Sequence, residues 1–408
     1  MNKNWFSLFS TNFLGVTDNN FLKNLVGFVA VAQLGSADKA TAVMLASGLY
    51  VLPYIFFSPL AGRLAKTRRK SRIMFLSKLA ELPVFVVACV GFFFHSMILV
   101  LASVFIIGLI STLFSPSKYG LIRDIGGDKK ISFGTGTLEM LTFLGVLIGT
   151  FFASVVSDHY GVLLVSVIVI GLSLFEVYTS WKLKLVAETE PIVSKETINP
   201  ICFLIQSFKW AKSIDNLNVV ILGLSTFWMI GSVIQMNLMV HCEKVLHMTD
   251  TKTGLIMTIA AVGIGLGSYL TGLFSKGSVE LGFTPIGSIG MLGCFLTLYL
   301  AEPTGIFFTI LVFLTAFFAG VYMVPLSAFV QHSVEGRMQG DMLAYSNFTI
   351  FLFILISAGI FGWVVNMSGT TLMWFVMFLI IAVVSGIMLF HIKEMGKRFT
   401  MLFKSNKN

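Results

Sequence analysis

Charge is scarce in this chain. Asp, Glu, Lys and Arg make up 12% of its 408 residues, whereas 56% are hydrophobic, and soluble domains carry about 25% charged residues. A soluble fold of this length has too little interior to hide so much apolar surface, so a water-soluble enzyme is excluded and an integral membrane protein is left. Cysteine is equally sparse. Cys89, Cys202, Cys242 and Cys294 stand far apart without metal-ligand spacing, so free thiols filling helix interiors are expected and no metal. Catalytic signatures are missing too. There is no G-x4-G-K-[ST] for ATP, no H-E-x-x-H, no Cys/His cluster, and none of the six His is followed five positions later by Asp. An enzyme is therefore not expected, and any work this chain does must draw on an ion or substrate gradient. The opening residues lack the short apolar core and small-residue cleavage site of a removable signal peptide.

What is present is a recurring apolar stretch of about 20 residues, the length an α-helix needs to cross about 30 Å of hydrocarbon. Such stretches lie near 8–33, 41–61, 73–94, 97–117, 134–157, 160–182, 217–241, 253–275, 282–301, 304–330, 339–365 and 371–392. The fold class expected is an all-α membrane protein of twelve transmembrane helices. The net charge of +9 fits topology better than nucleic acid, because the basic residues sit in short loops. With both termini cytoplasmic, 23 of the 28 Lys and Arg fall inside, three (Lys39, Lys244, Lys252) fall outside, and Lys23 and Lys78 lie within helices. That asymmetry sets the orientation.

The chain also repeats itself. "SPLAGRLAK" (58–66) and "SYLTGLFSK" (268–276) share Ser58/Ser268, Leu60/Leu270, Gly62/Gly272 and Lys66/Lys276, each 210 apart, and Pro116 and Pro325 near the ends of the fourth and tenth segments are 209 apart. Two matches at nearly one offset divide the protein into a six-helix bundle over 1–183 and another over 217–392, with a basic cytoplasmic tail over 393–408. Parallel halves of this kind place a substrate site near the bilayer midplane. The connecting stretch 184–216 is a linker, then an amphipathic interfacial helix. Asn199 is the expected N-cap and Pro200 the first helical position, and Ile201, Leu204, Ile205 and Phe208 keep helical spacing along one face.

Polar groups inside the apolar segments single out candidate sites. "FLGVTDNNFLKNLVG" (13–27) sets Asp18 about ten residues into the first helix, roughly 15 Å deep. A charge there costs about 3 kcal/mol even on a lenient insertion scale, so it is expected to meet a watery cavity or a partner. At 100° per residue Asn12, Asn19 and Lys23 form one stripe with Asn20 and Asn24 beside it. Asp18 lies nearer Thr11 and Gly15, so Asp18 and Lys23 are not an intrahelical pair. The third segment carries Lys78 and Glu81 at i, i+3. Lys118 ends the fourth and Glu139 opens the fifth, and these four are expected to form a salt-bridge cluster in gating, ion coupling or helix registration. Glu176 in the sixth segment is given no role. Gln235 and Asn237, on the seventh with Trp228, are candidates for the outer mouth. Gly145 and Gly149 are spaced for close helix packing, as are Gly263, Gly265 and Gly267. The 40 Phe suit lipid-facing surface and ordinary packing as well as an acyl-chain groove.

The loop stretch "GRLAKTRRKSR" (62–72) resembles the motif after the second helix of the major facilitator superfamily, whose members have twelve helices, two pseudo-symmetric halves and alternating access. Gly62 and the basic residues Arg63, Arg68, Arg69 and Lys70 match it. The family's acidic gating residue, which stabilises the outward-open state, is replaced here by Lys66. Further stretches, "KLAE" (78–81), "FSPSKYG" (114–120), "LEMLTFLGVLIGT" (138–150), "GIGLGSYLTGLFSKGSVELGFTPIG" (263–287) and "GVYMVPLSAFVQ" (320–331), resemble together with the first helix the bacterial lysophospholipid transporters.

That resemblance implies movement of lysophospholipid, chiefly lysophosphatidylethanolamine, from the outer to the inner leaflet of the bacterial inner membrane. A separate acyltransferase or acyl-carrier-protein synthetase would then restore the second chain. In a headgroup site Asp18 would take the ammonium, and Lys23, Asn19 and Asn20 the phosphate. No cofactor is expected beyond an unidentified coupling cation, H⁺ or Na⁺, for which Asp18, Glu81 and Glu139 are candidates. The partners expected are the substrate and membrane lipid, not nucleic acid, and the protein is expected to be a monomer. The competing readings are an ion-coupled carrier of another amphipathic solute or drug, and a membrane scaffold subunit without a transport cycle.

Overall fold

A computed structural model describes residues 3–34, 39–158, 161–183, 199–248, 250–275, 278–334 and 338–404. The described elements are all helical. In chain order they are α1 (Lys3–Leu34), α2 (Lys39–Thr67), α3 (Lys70–Phe93), α4 (Met97–Gly126), α5 (Ile131–Asp158), α6 (Val162–Trp181), α7 (Pro200–Ser213), α8 (Leu217–Lys244), α9 (Asp250–Phe274), α10 (Phe283–Ala301), α11 (Gly305–Ser333), α12 (Gln339–His391) and α13 (Lys393–Lys404), with one 3-10 turn at Asp128–Lys130. Among the described residues nine helices are long and apolar enough to cross a membrane. One of them, α12, has 53 residues and is broken at Gly369, where φ is +78°. At 1.5 Å per residue the arms on either side of the break, 339–368 and 370–391, are about 45 and 33 Å long, each enough to cross the hydrocarbon.

The surface of these helices shows which solvent they are built for. Ile98, Leu163, Ile306 and Phe390 are each about 80% exposed, a disposition that water would penalise and hydrocarbon would not. Pro116 and Pro325, the pair 209 residues apart, are both buried inside their helices, α4 and α11.

Two compact units result. The first gathers Met1–Gly127, Leu141–Ser207 and Glu335–Phe348, and the second gathers Asp128–Met140, Phe208–Val334 and Thr349–Asn408. Each unit therefore draws on both halves of the sequence: the first includes the opening turns of α12, and the second includes the opening turns of α5. The core of the first unit is built from Phe21, Leu22 and Leu25 of α1 with Phe85 and Phe92 of α3, Val104 and Ile107 of α4, Ala153 of α5, and Val165 and Val169 of α6. Gly145 and Gly149 of α5 bring that helix against the Phe13 and Thr17 carbonyls of α1, the close packing their spacing implies. In the second unit Trp374 packs with Phe295, Phe308 and His241, and the Tyr322 hydroxyl donates to the Gly223 carbonyl at 3.2 Å.

α7 starts at Pro200, the first helical position expected. The Asn199 side-chain oxygen accepts the Ile201 and Cys202 N–H groups at 2.9 and 3.4 Å, an N-cap that satisfies donors the first helical turn leaves over. Ile201, Ile205 and Phe208 are exposed, while Phe203, Ser207 and Ala211 are buried. The linker residues 184–198, Lys276 and Arg337 lie outside the described residues.

Candidate functional site

The polar residues of α1 divide between two faces, as helical geometry requires. On one face Asn12 donates to the Thr142 hydroxyl (2.9 Å), Asn19 to Ser111 (3.2 Å) and Asn24 to Thr150 (2.7 Å), reaching α4 and α5. Asn20 donates to the Val16 carbonyl one turn back (2.8 Å), and the Lys23 ammonium lies 5.6 Å from the centre of the Tyr50 ring. Asn20, Lys23 and Asn24 keep part of their surface accessible. The other face carries Thr11, Gly15 and Asp18. Thr11 shares a hydroxyl hydrogen bond with Thr179 of α6 at 2.9 Å, and Asp18 is completely buried. The separation of Asp18 from Lys23 is thus real, and each has its own surroundings.

Those of Asp18 are ionic. Lys78 of α3 bridges Glu81, one turn along the same helix, and Glu176 of α6. Its ammonium is 2.7 Å from Glu81 Oε2 and 2.8 Å from Glu176 Oε2, the latter an ion pair by distance without hydrogen-bond geometry. It also lies 5.8 Å from the centre of the Phe114 ring. Glu176, Glu81 and Lys78 all bear electrostatically on Asp18. The i, i+3 pairing of Lys78 with Glu81 was readable from their spacing. Glu176 was not, because nothing within α6 marks it: 98 residues separate it from Lys78, and only the packing of α3 on α6 brings them together. Of the other two residues expected in this cluster, Lys118 lies 4.9 Å from the centre of the Tyr119 ring, and Glu139 is buried in the second unit.

A second constellation surrounds the loop motif. Lys66, near the end of α2, pairs with Asp341 in the first turn of α12 at 2.8 Å, the two side chains being 5% and 4% exposed. Lys70 opens α3 and contacts both Asp124 (2.9 Å) and the Gln339 side-chain oxygen (2.8 Å). The backbones touch here. A Cβ on Gly62 would stand 3.1 Å from the Gly340 carbonyl oxygen, and a Cβ on Gly340 would stand 2.6 Å from that of Gly62. Asn347 extends the contact with a 2.8 Å bond to Ser115. An acid is therefore present at this junction even though position 66 is a lysine: Asp341 supplies it. Arg68 and Arg69 are exposed, and Arg63 is partly buried.

The sequence repeat has a counterpart in the second unit. A Cβ on Gly136 of α5 would stand 3.1 Å from the Cα of Gly272, the residue 210 positions after Gly62. Gln331 of α11 donates to Thr135 at 2.9 Å, and Ser132 donates to the Ser278 carbonyl at 2.7 Å. In both units, then, a glycine of the repeated motif receives the opening turns of a helix from the other half of the sequence.

The remaining candidates sit on α8. Gln235 is exposed, whereas Asn237 is fully buried and both polar atoms of its amide lack a hydrogen-bond partner. Among the described residues no group of three or more His, Cys, Asp or Glu is arranged to hold a metal ion.

Comparison with known proteins places this geometry. The model of the Major Facilitator Superfamily matches residues 8–348. The lysophospholipid transporter LplT of Photorhabdus laumondii subsp. laumondii is 23% identical over 360 residues, covering 85% of this chain and 86% of the relative. That of Serratia proteamaculans is 22% identical over 317 residues, covering 77% of each. Among solved structures, the human organic anion transporter MFSD10 (TETRAN) superposes with a TM-score of 0.79 at 13% identity, covering 95% of this chain and 99% of that one.

Proposed function

We propose, from the premise that this chain belongs to the Major Facilitator Superfamily, that it carries lysophospholipids from the outer to the inner leaflet of a bacterial inner membrane by alternating access. The observation that carries the substrate class is the similarity to lysophospholipid transporters over 85% of the chain. On this reading α1–α6, α8–α11 and the two arms of α12 are twelve passes, with both termini in the cytoplasm. The exposed apolar stripe of α7 rests on the cytoplasmic membrane surface.

The headgroup chemistry falls to the accessible side of α1. A lysophosphatidylethanolamine headgroup presents a phosphate that needs cationic or amide donors, and Lys23, Asn20 and Asn24 are the donors of α1 that keep accessible surface. The Lys23 ammonium beside Tyr50 has no short carboxylate competing for it on its own helix. Asn19, held by Ser111, orients that face. The Lys66–Asp341 and Lys70–Gln339 contacts act as the cytoplasmic latch, made in one stage of the cycle and broken in the other. The lipid delivered inward then becomes substrate for a separate acyl-transferring enzyme.

Leaflet-resolved uptake of labelled lysophosphatidylethanolamine into vesicles containing the purified chain tests this reading. The expected result is saturable inward movement, weakened by Lys23→Ala. Uptake no faster than in protein-free vesicles, with the protein correctly inserted, would overturn the substrate assignment in favour of another amphipathic solute or of a scaffold.

A further inference from the structure

The accessible side of α1 has no acid for the ammonium of a zwitterionic headgroup. Asp18 is completely buried on the opposite face, and Asn20, Lys23 and Asn24 bring no negative charge. An aromatic surface stands there instead. The Lys23 ammonium lies 5.6 Å from the centre of the Tyr50 ring, inside the distance at which the negative face of a ring attracts a cation. Tyr50 of α2 thus already receives one ammonium, the protein's own.

The surroundings fix Tyr50 as a platform. A Cβ on Gly108 of α4 would collide with the Tyr50 carbonyl, so only glycine lets α2 settle this close to α4. The Tyr50 hydroxyl interacts with Ser111 of α4 and with Tyr54 one turn along α2. Ser111 also accepts the Asn19 amide of α1 at 3.2 Å, so one hydroxyl ties the ring to the helix that carries Lys23. The Tyr54 ring stands 6.3 Å from that of Tyr50, tilted by 50°, and the two phenols make adjoining walls of a corner. Tyr54 is buried and Tyr50 only half-buried, which leaves Tyr50 as the wall a ligand can reach.

We propose that Tyr50 is a specificity-determining residue, whose ring takes the ammonium of a zwitterionic lysophospholipid headgroup in the place that Lys23 holds in this structure. The inference rests on the lysophospholipid reading of the substrate and adds the residue that selects the headgroup. It works by an exchange of partners. A phosphate makes charge-assisted hydrogen bonds to an ammonium, and these outcompete an exposed ring face. Arrival of the phosphate therefore draws Lys23 off Tyr50. The ring is left for the cation that an ethanolamine headgroup carries two carbons from its phosphate ester. A glycerol headgroup brings the phosphate without the cation and leaves the ring unused. Lys23 reads the phosphate, and Tyr50 reads the ammonium.

Uptake of labelled lysophosphatidylethanolamine and lysophosphatidylglycerol into vesicles containing the full chain tests it. The readout is the ratio of the two lipids within each variant, which does not depend on how much protein inserts. The wild type is expected to favour the ethanolamine lipid by about tenfold. Tyr50→Phe keeps the ring and the preference. Tyr50→Leu abolishes the preference by lowering uptake of the ethanolamine lipid alone. Tyr50→Phe with one, two or three ring fluorines keeps the shape, weakens the negative face and lowers the ratio stepwise, a response that a merely structural ring would not give. Lys23→Ala lowers uptake of both lipids and preserves the ratio. The assignment is overturned if the wild type takes both lipids equally, if Tyr50→Leu lowers both together, or if the fluorinated series leaves the ratio unchanged. A wild type that moves neither lipid overturns the substrate reading, and this assignment with it.

Discussion

Exchange of the two charges at Lys66 and Asp341 is the most searching perturbation of the proposed latch. The ion pair is 2.8 Å long with both side chains about 95% buried, so it is only weakly screened by salt. Removing one partner of such a pair strands the other charge and costs about 3–5 kcal/mol. Lys66→Asp is worse, because it sets two carboxylates face to face. The state that holds the pair would fall by a factor on the order of 10²–10⁴ relative to the state that does not. The double variant K66D/D341K restores opposite charges at the same separation and should recover most of that loss. Recovery should stop about 1 kcal/mol short, because Asp341 lies in the first turn of α12. An acid there is favoured by the exposed N–H groups of the helix end and a lysine is not. The assays are thermal unfolding of the purified protein and lysophospholipid uptake, measured for both single variants, the double variant and the wild type at two salt concentrations. A double variant no better than the worse single variant, or a Lys66→Ala protein with wild-type stability and uptake, would refute the latch.

Three further outcomes are expected. Gly136→Leu should lower stability by several kcal/mol or stop transport, because a side chain there meets the Ser268 carbonyl and the Gly272 Cα; thermal unfolding and uptake read it directly. Asn199→Ala should loosen the start of α7 by about 1 kcal/mol, through loss of the cap to Ile201, seen as faster amide exchange confined to the first turn of that helix. Lys23→Ala should weaken binding of phosphate-bearing lysolipid while leaving thermal stability within about 1 kcal/mol, since the ammonium's contact is the Tyr50 ring; a large stability loss with unchanged affinity would assign Lys23 to structure.

Much of the architecture was legible in the chain because helix formation in hydrocarbon is a local matter. Hydrophobic runs of one membrane thickness mark the passes, and the observed ends of α4, α8, α10 and α11 fall within a few residues of the expected ones at one or both ends. Helical spacing likewise separated Asp18 from the Asn12–Asn19–Lys23 stripe and paired Lys78 with Glu81. The candidate site was legible only in part. Glu176 and Asp341 are ordinary acids in their own segments, and no local rule links Glu176 to Lys78 or Asp341 to a lysine 275 residues away. Lys66 stands where the motif has an acid, and the acid it pairs with, Asp341, comes from a distant segment of the chain.

By itself the sequence determined the solvent, the helical class and the polar residues the membrane must accommodate, because apolar content, segment length and helical periodicity act over a few turns of one chain. Tertiary structure alone decided which charges meet. A side chain's partners across a helix interface depend on the rotation and tilt of two packed cylinders. Those are set by contacts such as Gly62 on Gly340 and Gly145 on Phe13, between residues far apart along the backbone.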